Sequence, residues 1–61
     1  MIFTAEDKLR CVEREIKMRR QVYPNRVLTG RMTQVQADRE IACMEAIAQD
    51  LSRVAEKDRL I

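Results

Sequence analysis

The middle of the chain, residues 24–36, reads PNRVLTGRMTQVQ and contains both of its strong helix breakers. Pro24 and Gly30 are the only proline and the only glycine among 61 residues, and good helix formers dominate both flanks. Within the same stretch, Thr33 followed by Gln36 matches a capping box, which predicts that a helix begins directly after Thr33. The pattern therefore indicates two long helices joined by one loop.

The first helix is predicted over residues 5–22. Thr4 is its expected N-cap, and Asp7 stands in the capping-box position three residues later. Proline lacks a backbone N–H donor and disfavours helical conformation at the residue before it. We therefore expect this helix to end just before Tyr23 and Pro24.

The second helix is predicted over residues 34–59. Met32 and Ala37 flank its start at the spacing of a hydrophobic staple, which supports the position of the cap. Between the two helices, residues 24–29 are expected to form a separate helical turn. Gly30 is expected to end that turn in the left-handed conformation that glycine adopts most readily.

Apolar residues recur along each helix at alternating steps of three and four, which is the spacing of a heptad seam. A second apolar column flanks the seam on each helix, and one hairpin cannot cover both columns. We therefore predict an antiparallel hairpin that dimerises into a four-helix bundle. The alternative is a loose monomeric hairpin with part of the flanking column exposed. The residues assigned to the core and to self-association are Leu9, Val12, Ile16, Met18, Val22, Ile41, Met44, Ile47, Leu51 and Val54.

The predicted helices differ in length, at about 27 Å for the first and about 39 Å for the second. The end of the second helix is therefore expected to overhang the first. Ile2 and Phe3 are the natural apolar cover for this overhang, which contains Val54, Leu60 and Ile61.

The composition lacks the side chains that catalysis and metal binding use most often. His is absent, which removes the commonest general base and leaves Cys11 and Cys43 without an activating partner. The N-terminus does not resemble a signal peptide, so we expect both cysteines to be reduced, buried or half-buried helix residues rather than a disulfide. No apolar run approaches the ~20 residues that cross a bilayer. The sequence thus predicts one cytoplasmic, non-catalytic domain over residues 1–61, without metal, cofactor or membrane association.

Basic residues are concentrated around the predicted loop, where the hairpin would gather them at one end. Two interpretations stay open. In the first, these cations complement the C-terminus of the first helix and aid solubility. In the second, they bind an acidic protein surface or nucleic-acid phosphates. Tyr23 lies among them and is predicted to close the core rather than to anchor a partner. The segment between Ile16 and Ala37 has no acidic residue and contains Lys17, Arg19, Arg20, Arg26 and Arg31.

Four short motifs follow one another between residues 23 and 47. They are Tyr23-Pro24, Gly30-Arg31-Met32-Thr33, Ala37-Asp38-Arg39-Glu40-Ile41 and Met44-Glu45-Ala46-Ile47. Together with the acidic-basic first helix, this pattern resembles a family of short proteins encoded in prophages and in phages of proteobacteria. The resemblance covers most of the chain and implies a viral origin, but it implies no particular activity.

The favoured hypothesis is a phage-derived accessory protein that acts by binding. It would be a homodimer in the bacterial cytoplasm whose basic loop end docks on an acidic protein of the host or the phage. One alternative is a nucleic-acid-binding accessory protein that uses the same patch and therefore loses affinity steeply with salt. Another is a purely structural oligomerisation module. No helix has the dense basic face of a DNA-recognition helix.

Overall fold

Two antiparallel helices make up the hairpin in the computed structural model, which describes residues 1–60. α1 spans Ala5–Leu28, α2 spans Gln34–Arg59, and residues 29–33 connect them. The molecule measures 48 × 21 × 16 Å, so it is two helices wide and one helix thick. The predicted all-α antiparallel hairpin is confirmed, and α2 has the predicted bounds.

Both helices begin with the capping boxes that the sequence predicts. At α1, the Thr4 hydroxyl accepts from the Asp7 amide at 3.1 Å, and the Asp7 carboxylate accepts from the Thr4 amide at 3.2 Å. At α2, the Thr33 hydroxyl accepts from the backbone amide of Gln36 at 3.1 Å. The side-chain Oε1 of Gln36 accepts from the backbone amide of Thr33 at 3.0 Å. Each box pairs amides that would otherwise lack a partner within the helix, which explains the sharp start of both helices.

α1 does not end at Val22, and this corrects the predicted boundary. The helix continues through Pro24, so the separate turn expected over residues 24–29 is instead the last part of α1. Proline within a helix costs about 3 kcal/mol because it removes one hydrogen bond and crowds the preceding turn. Continuing the helix keeps Tyr23 two turns after Ile16 on the same face, and both side chains are buried against α2. Burial of this aromatic ring opposes the cost of the proline.

α1 ends in a Schellman motif centred on Gly30. Gly30 has a φ of +76°, which confirms the predicted left-handed terminator. Its amide donates to the Val27 carbonyl at 3.2 Å, while the Arg31 amide donates to the Arg26 carbonyl at 2.9 Å. These two bonds satisfy the last carbonyls of the helix and turn the chain towards α2.

The interface between the helices is small and leaves much of each side chain exposed. Only Ile16, Tyr23, Ala37 and Ala55 are buried within residues 1–60, and none of their side chains is completely enclosed. The rest of the predicted seam is half-buried, at Leu9, Val12, Ile41, Met44 and Leu51. The flanking column is 42–52% exposed, at Met18, Val22, Ile47 and Val54.

The residues before α1 do not cover the end of α2, contrary to the prediction. Ile2 is 96% exposed, Phe3 is more than half exposed, and Val54 and Leu60 remain open to solvent. The reason is length: α1 has 24 residues and α2 has 26, so the expected overhang is nearly absent. Ile61, which the prediction also placed under this cover, lies outside the described residues.

Both cysteines are free thiols on the outside of the hairpin. Cys11 and Cys43 are exposed, so their predicted buried or half-buried positions are wrong. The helical period explains the result, because neither residue falls on the heptad seam that faces the other helix.

Candidate partner-binding surface at the loop end

The five predicted patch residues extend from the middle of α1, at Lys17, to the connection with α2, so they are not all gathered at the loop end as predicted, and the hairpin uses them differently. Two are engaged by carboxylates of α2, and the other three have no ion-pair partner within residues 1–60. The first group is Arg19 and Arg20, and the second is Lys17, Arg26 and Arg31.

Arg19 serves the hairpin itself. Its Nε donates to the Glu15 carboxylate at 3.0 Å, and its Nη1 reaches Glu40 on α2 at 3.4 Å. The guanidinium also lies 5.9 Å from the centre of the Tyr23 ring, and only 23% of the side chain is exposed. The hydrogen bond to Glu15 raises the pKa of Arg19, so the group keeps its charge throughout the range in which proteins fold. Little of Arg19 is therefore available to a partner.

Arg20 forms the second link between the helices. Its Nη2 donates to the Glu45 carboxylate at 2.9 Å, while at the open end of the hairpin Arg59 donates to Glu6 at 2.9 Å. Exposed pairs of this kind contribute about 0–1 kcal/mol each. Their main effect is to favour one antiparallel register, since a shifted register would separate all of these charges.

Arg26 and Arg31 are brought together by the Schellman motif. The backbone amide of Arg31 donates to the carbonyl of Arg26. In most Schellman motifs, the side chains at these two positions make a hydrophobic contact. Here both positions are arginines, and both side chains are exposed. The Arg26 guanidinium lies 5.7 Å from the Tyr23 ring centre, so a cation–π contact holds it in place. The turn thus joins the backbones of two arginines whose side chains are both exposed to solvent.

Lys17 lies in the middle of α1, nine residues before Arg26 and therefore about 14 Å from it along the helix axis. It borders a groove together with Glu13, Arg20 and Glu45. Its ammonium adds to the positive charge of this half of the hairpin, but its position separates it from the arginine pair, and its flexible stem gives it less directional binding than an arginine has.

Two apolar residues at the loop end were missed by the sequence analysis. Leu28 is 85% exposed at the end of α1, and Val35 is 76% exposed in the first turn of α2. The sequence pattern could have predicted their exposure, because neither residue belongs to the heptad seam of its helix. The loop end therefore combines exposed cations with exposed apolar side chains.

The charge of the hairpin differs strongly between its two halves. Residues 16–44, which form the loop half, contain six basic and two acidic side chains. The remaining residues contain six basic and eight acidic side chains. The loop half is therefore positive and the open half negative, although the net charge of the chain is only +2.

Comparison with protein-family models, with curated proteins and with solved structures finds no match for this chain. In the part of the chain that the structure describes, no three His, Cys, Asp or Glu side chains are grouped to hold a metal ion. Neither α1 nor α2 has the length and apolar character needed to cross a membrane.

Proposed function

We propose that this chain is a phage-derived, non-catalytic accessory protein that binds an acidic surface of a partner protein in the cytoplasm of a bacterial host. It acts as a homodimer, and its loop end makes the contact. The single observation that carries the proposal is that Arg26 and Arg31, whose backbones are joined by a hydrogen bond at the turn, are both exposed and have no ion-pair partner within residues 1–60. A carboxylate-rich surface would pair with both guanidinium groups through bidentate hydrogen bonds.

The exposed apolar residues favour a protein over nucleic acid as the partner. Leu28 and Val35 flank the turn that contains the arginine pair. Protein interfaces combine arginine with buried apolar side chains, whereas phosphate backbones offer nothing for such side chains to pack against. The Tyr23 ring is already buried in the hairpin, so it contributes by positioning Arg26 rather than by contacting the partner.

The homodimer is supported by the small interior of the hairpin. Four buried side chains are few for a chain of this size, and short chains commonly complete their core by association. A dimer also doubles the number of loop ends, which strengthens binding to any partner that presents two acidic sites.

The proposal is tested by capture of partners from a lysate of the bacterial host, with the bound proteins compared by mass spectrometry. The double variant Arg26→Ala, Arg31→Ala is expected to lose at least ten-fold of the captured partner. The matched control Arg10→Ala, Arg53→Ala removes the same charge from two exposed arginines outside the loop end and is expected to retain the partner. Equal capture by the loop variant and the wild type would contradict the proposal.

A direct binding measurement separates the protein partner from the nucleic-acid alternative. Fluorescence anisotropy with labelled 20-nucleotide single- and double-stranded DNA at 50 mM salt is expected to show no binding. Affinity that falls steeply between 50 and 200 mM salt and depends on Arg26 and Arg31 would support nucleic acid instead.

A further inference from the structure

We propose that the second copy of this chain packs antiparallel against one particular flank of the hairpin, with the loop end of each copy over the open end of the other. The apolar flank, as we call it, is formed by Met18, Val22, Ile47 and Val54. This inference rests on the proposed homodimer and adds its contact surface and its orientation.

The four residues of the apolar flank come from both helices and lie on the same side of the hairpin, which the Arg19–Glu40 ion pair marks. Glu40, Ile47 and Val54 follow one another at seven-residue intervals, so they share one face of α2. On α1, Met18 and Val22 border the same groove as Arg19. All four apolar residues are 42–52% exposed, so each has surface left to bury.

Within residues 1–60, the exposed large apolar side chains other than these four lie at the two ends of the hairpin, so the opposite flank has none along its length. This flank is marked by the ion pairs Arg20–Glu45 and Arg59–Glu6. The groove between the helices on this flank is bordered by Glu13, Lys17 and Gln49, and its apolar residues Ile16 and Ala48 are already buried or half-buried in the hairpin. The hairpin is therefore two-sided, and only one side suits an apolar contact.

The exposed area agrees with what a dimer needs. The folded chain exposes 5241 Å², whereas a compact monomer of 7.2 kDa is expected to expose about 4,100 Å². The excess of about 1,100 Å² is comparable to the roughly 800 Å² that each partner buries in a standard interface. A second hairpin on the apolar flank gives a four-helix bundle, in which every helix has two neighbours.

Charge selects the orientation of the second copy. In a parallel dimer, the two positive loop halves lie together, and the two negative open halves lie together. In the antiparallel dimer, the loop half of one copy, residues 16–44, lies over the negative open half of its partner. Opposite charges then face each other along the bundle, and the two arginine pairs are held at opposite ends.

The first test is the mass of the protein in solution, measured by light scattering at 50 μM. The double variant Met18→Glu, Ile47→Glu is expected to change the mass from dimer to monomer. The matched control Leu28→Glu, Val35→Glu places the same charges on exposed apolar residues of the same two helices, outside the apolar flank, and is expected to remain dimeric. A dimeric flank variant would overturn the proposed surface.

The second test is the relative orientation of the two copies, measured by pulsed electron–electron double resonance. A spin label at Val35→Cys, with Cys11 and Cys43 replaced by serine, reports the separation of the two loop ends. The antiparallel dimer is expected to give a distance close to the 48 Å length of the hairpin. A distance below about 25 Å, as neighbouring helices 8–10 Å apart would allow, indicates the parallel dimer and overturns the orientation.

Failure of this inference is distinguishable from failure of the proposed function. If the wild type is a monomer at 50 μM, the homodimer itself is wrong, and the inference falls with it. If the wild type is a dimer that resists the flank substitutions or shows the short distance, only the inference is wrong. Because Arg26 also borders the groove of the apolar flank, loss of the captured partner is assigned to the loop end only if the Arg26→Ala, Arg31→Ala variant keeps the wild-type mass in light scattering.

Discussion

At the scale of single residues, Gly30 and Tyr23 have the clearest structural roles. Gly30 supplies the left-handed conformation that ends α1, and nothing lies within 4 Å of the position that a Cβ atom would take. Tyr23 fills the end of the hairpin next to the turn and is among the few buried side chains within residues 1–60. One residue thus acts through the backbone and the other through packing.

We predict that Gly30→Ala lowers the free energy of unfolding by about 1 kcal/mol, because an L-residue in the left-handed region is strained. Gly30→Asn should cost less, since asparagine tolerates this region better. Urea denaturation followed by circular dichroism measures both variants. An alanine variant as stable as the wild type would show that the turn relaxes to another conformation.

We predict that Tyr23→Ala destabilises the protein by about 3 kcal/mol, the usual cost of truncating a buried aromatic side chain. Tyr23→Phe is the control and should change stability by less than about 0.5 kcal/mol, because no hydrogen bond to the hydroxyl is present among the described residues. Thermal unfolding compares the two variants. Equal destabilisation by both would assign the effect to the hydroxyl rather than to the ring.

At the scale of the elements, the continuity of α1 through Pro24 determines where the arginine pair lies. If α1 ended at Val22, Arg26 would belong to a loop. Because the helix continues, Arg26 instead occupies its last turn, next to the Tyr23 ring and the Schellman motif. The negative end of the helix dipole also favours a cation at this position.

We predict that Pro24→Ala stabilises the protein by about 2 kcal/mol, because alanine restores the amide that a helix interior needs and removes the crowding of the ring. Gln21→Ala, an exposed substitution one turn earlier, is the control and should change stability by less than about 0.5 kcal/mol. Urea midpoints measure both changes. A less stable Pro24→Ala variant would mean that the proline maintains a bend which the hairpin requires.

At the scale of the whole molecule, the hairpin has a wide surface and little interior. Its radius of gyration is 14.2 Å, whereas a globular chain of this length is expected to have about 10.5 Å. Ion pairs between exposed side chains contribute too little to replace a core. In the proposed dimer, burial of the apolar flank would supply the missing core and couple folding to association.

We predict that the melting temperature rises by about 5 °C for each tenfold increase in protein concentration, as mass action requires when two chains fold together. Differential scanning calorimetry from 5 to 500 μM measures this dependence. The monomeric Met18→Glu, Ile47→Glu variant should melt lower and without such a dependence. A melting temperature that stays constant for the wild type would contradict coupled folding and association.

Helix caps and breakers are local signals, so they were predictable. The boxes at Thr4 and Thr33 and the terminator at Gly30 involve residues within a few positions of each other. Pro24 was misjudged because its local preference competes with the burial of Tyr23, which involves the other helix. The ion pair between Arg19 and Glu40 was not predictable for the same reason, because the two residues are 21 positions apart in the sequence and meet only when the helices pack.

The order of helix-forming and helix-breaking residues was sufficient to establish two helices, one turn and an apolar seam, since these depend on neighbours along the chain. The grouping of Met18 and Ile47 on one flank, the engagement of Arg19 by α2 and the exposure of the Arg26–Arg31 pair depend on how two helices lie against each other. Such contacts join residues far apart in sequence, and only packing brings them within reach. The division of the cations into structural and available groups is therefore a property of the folded hairpin.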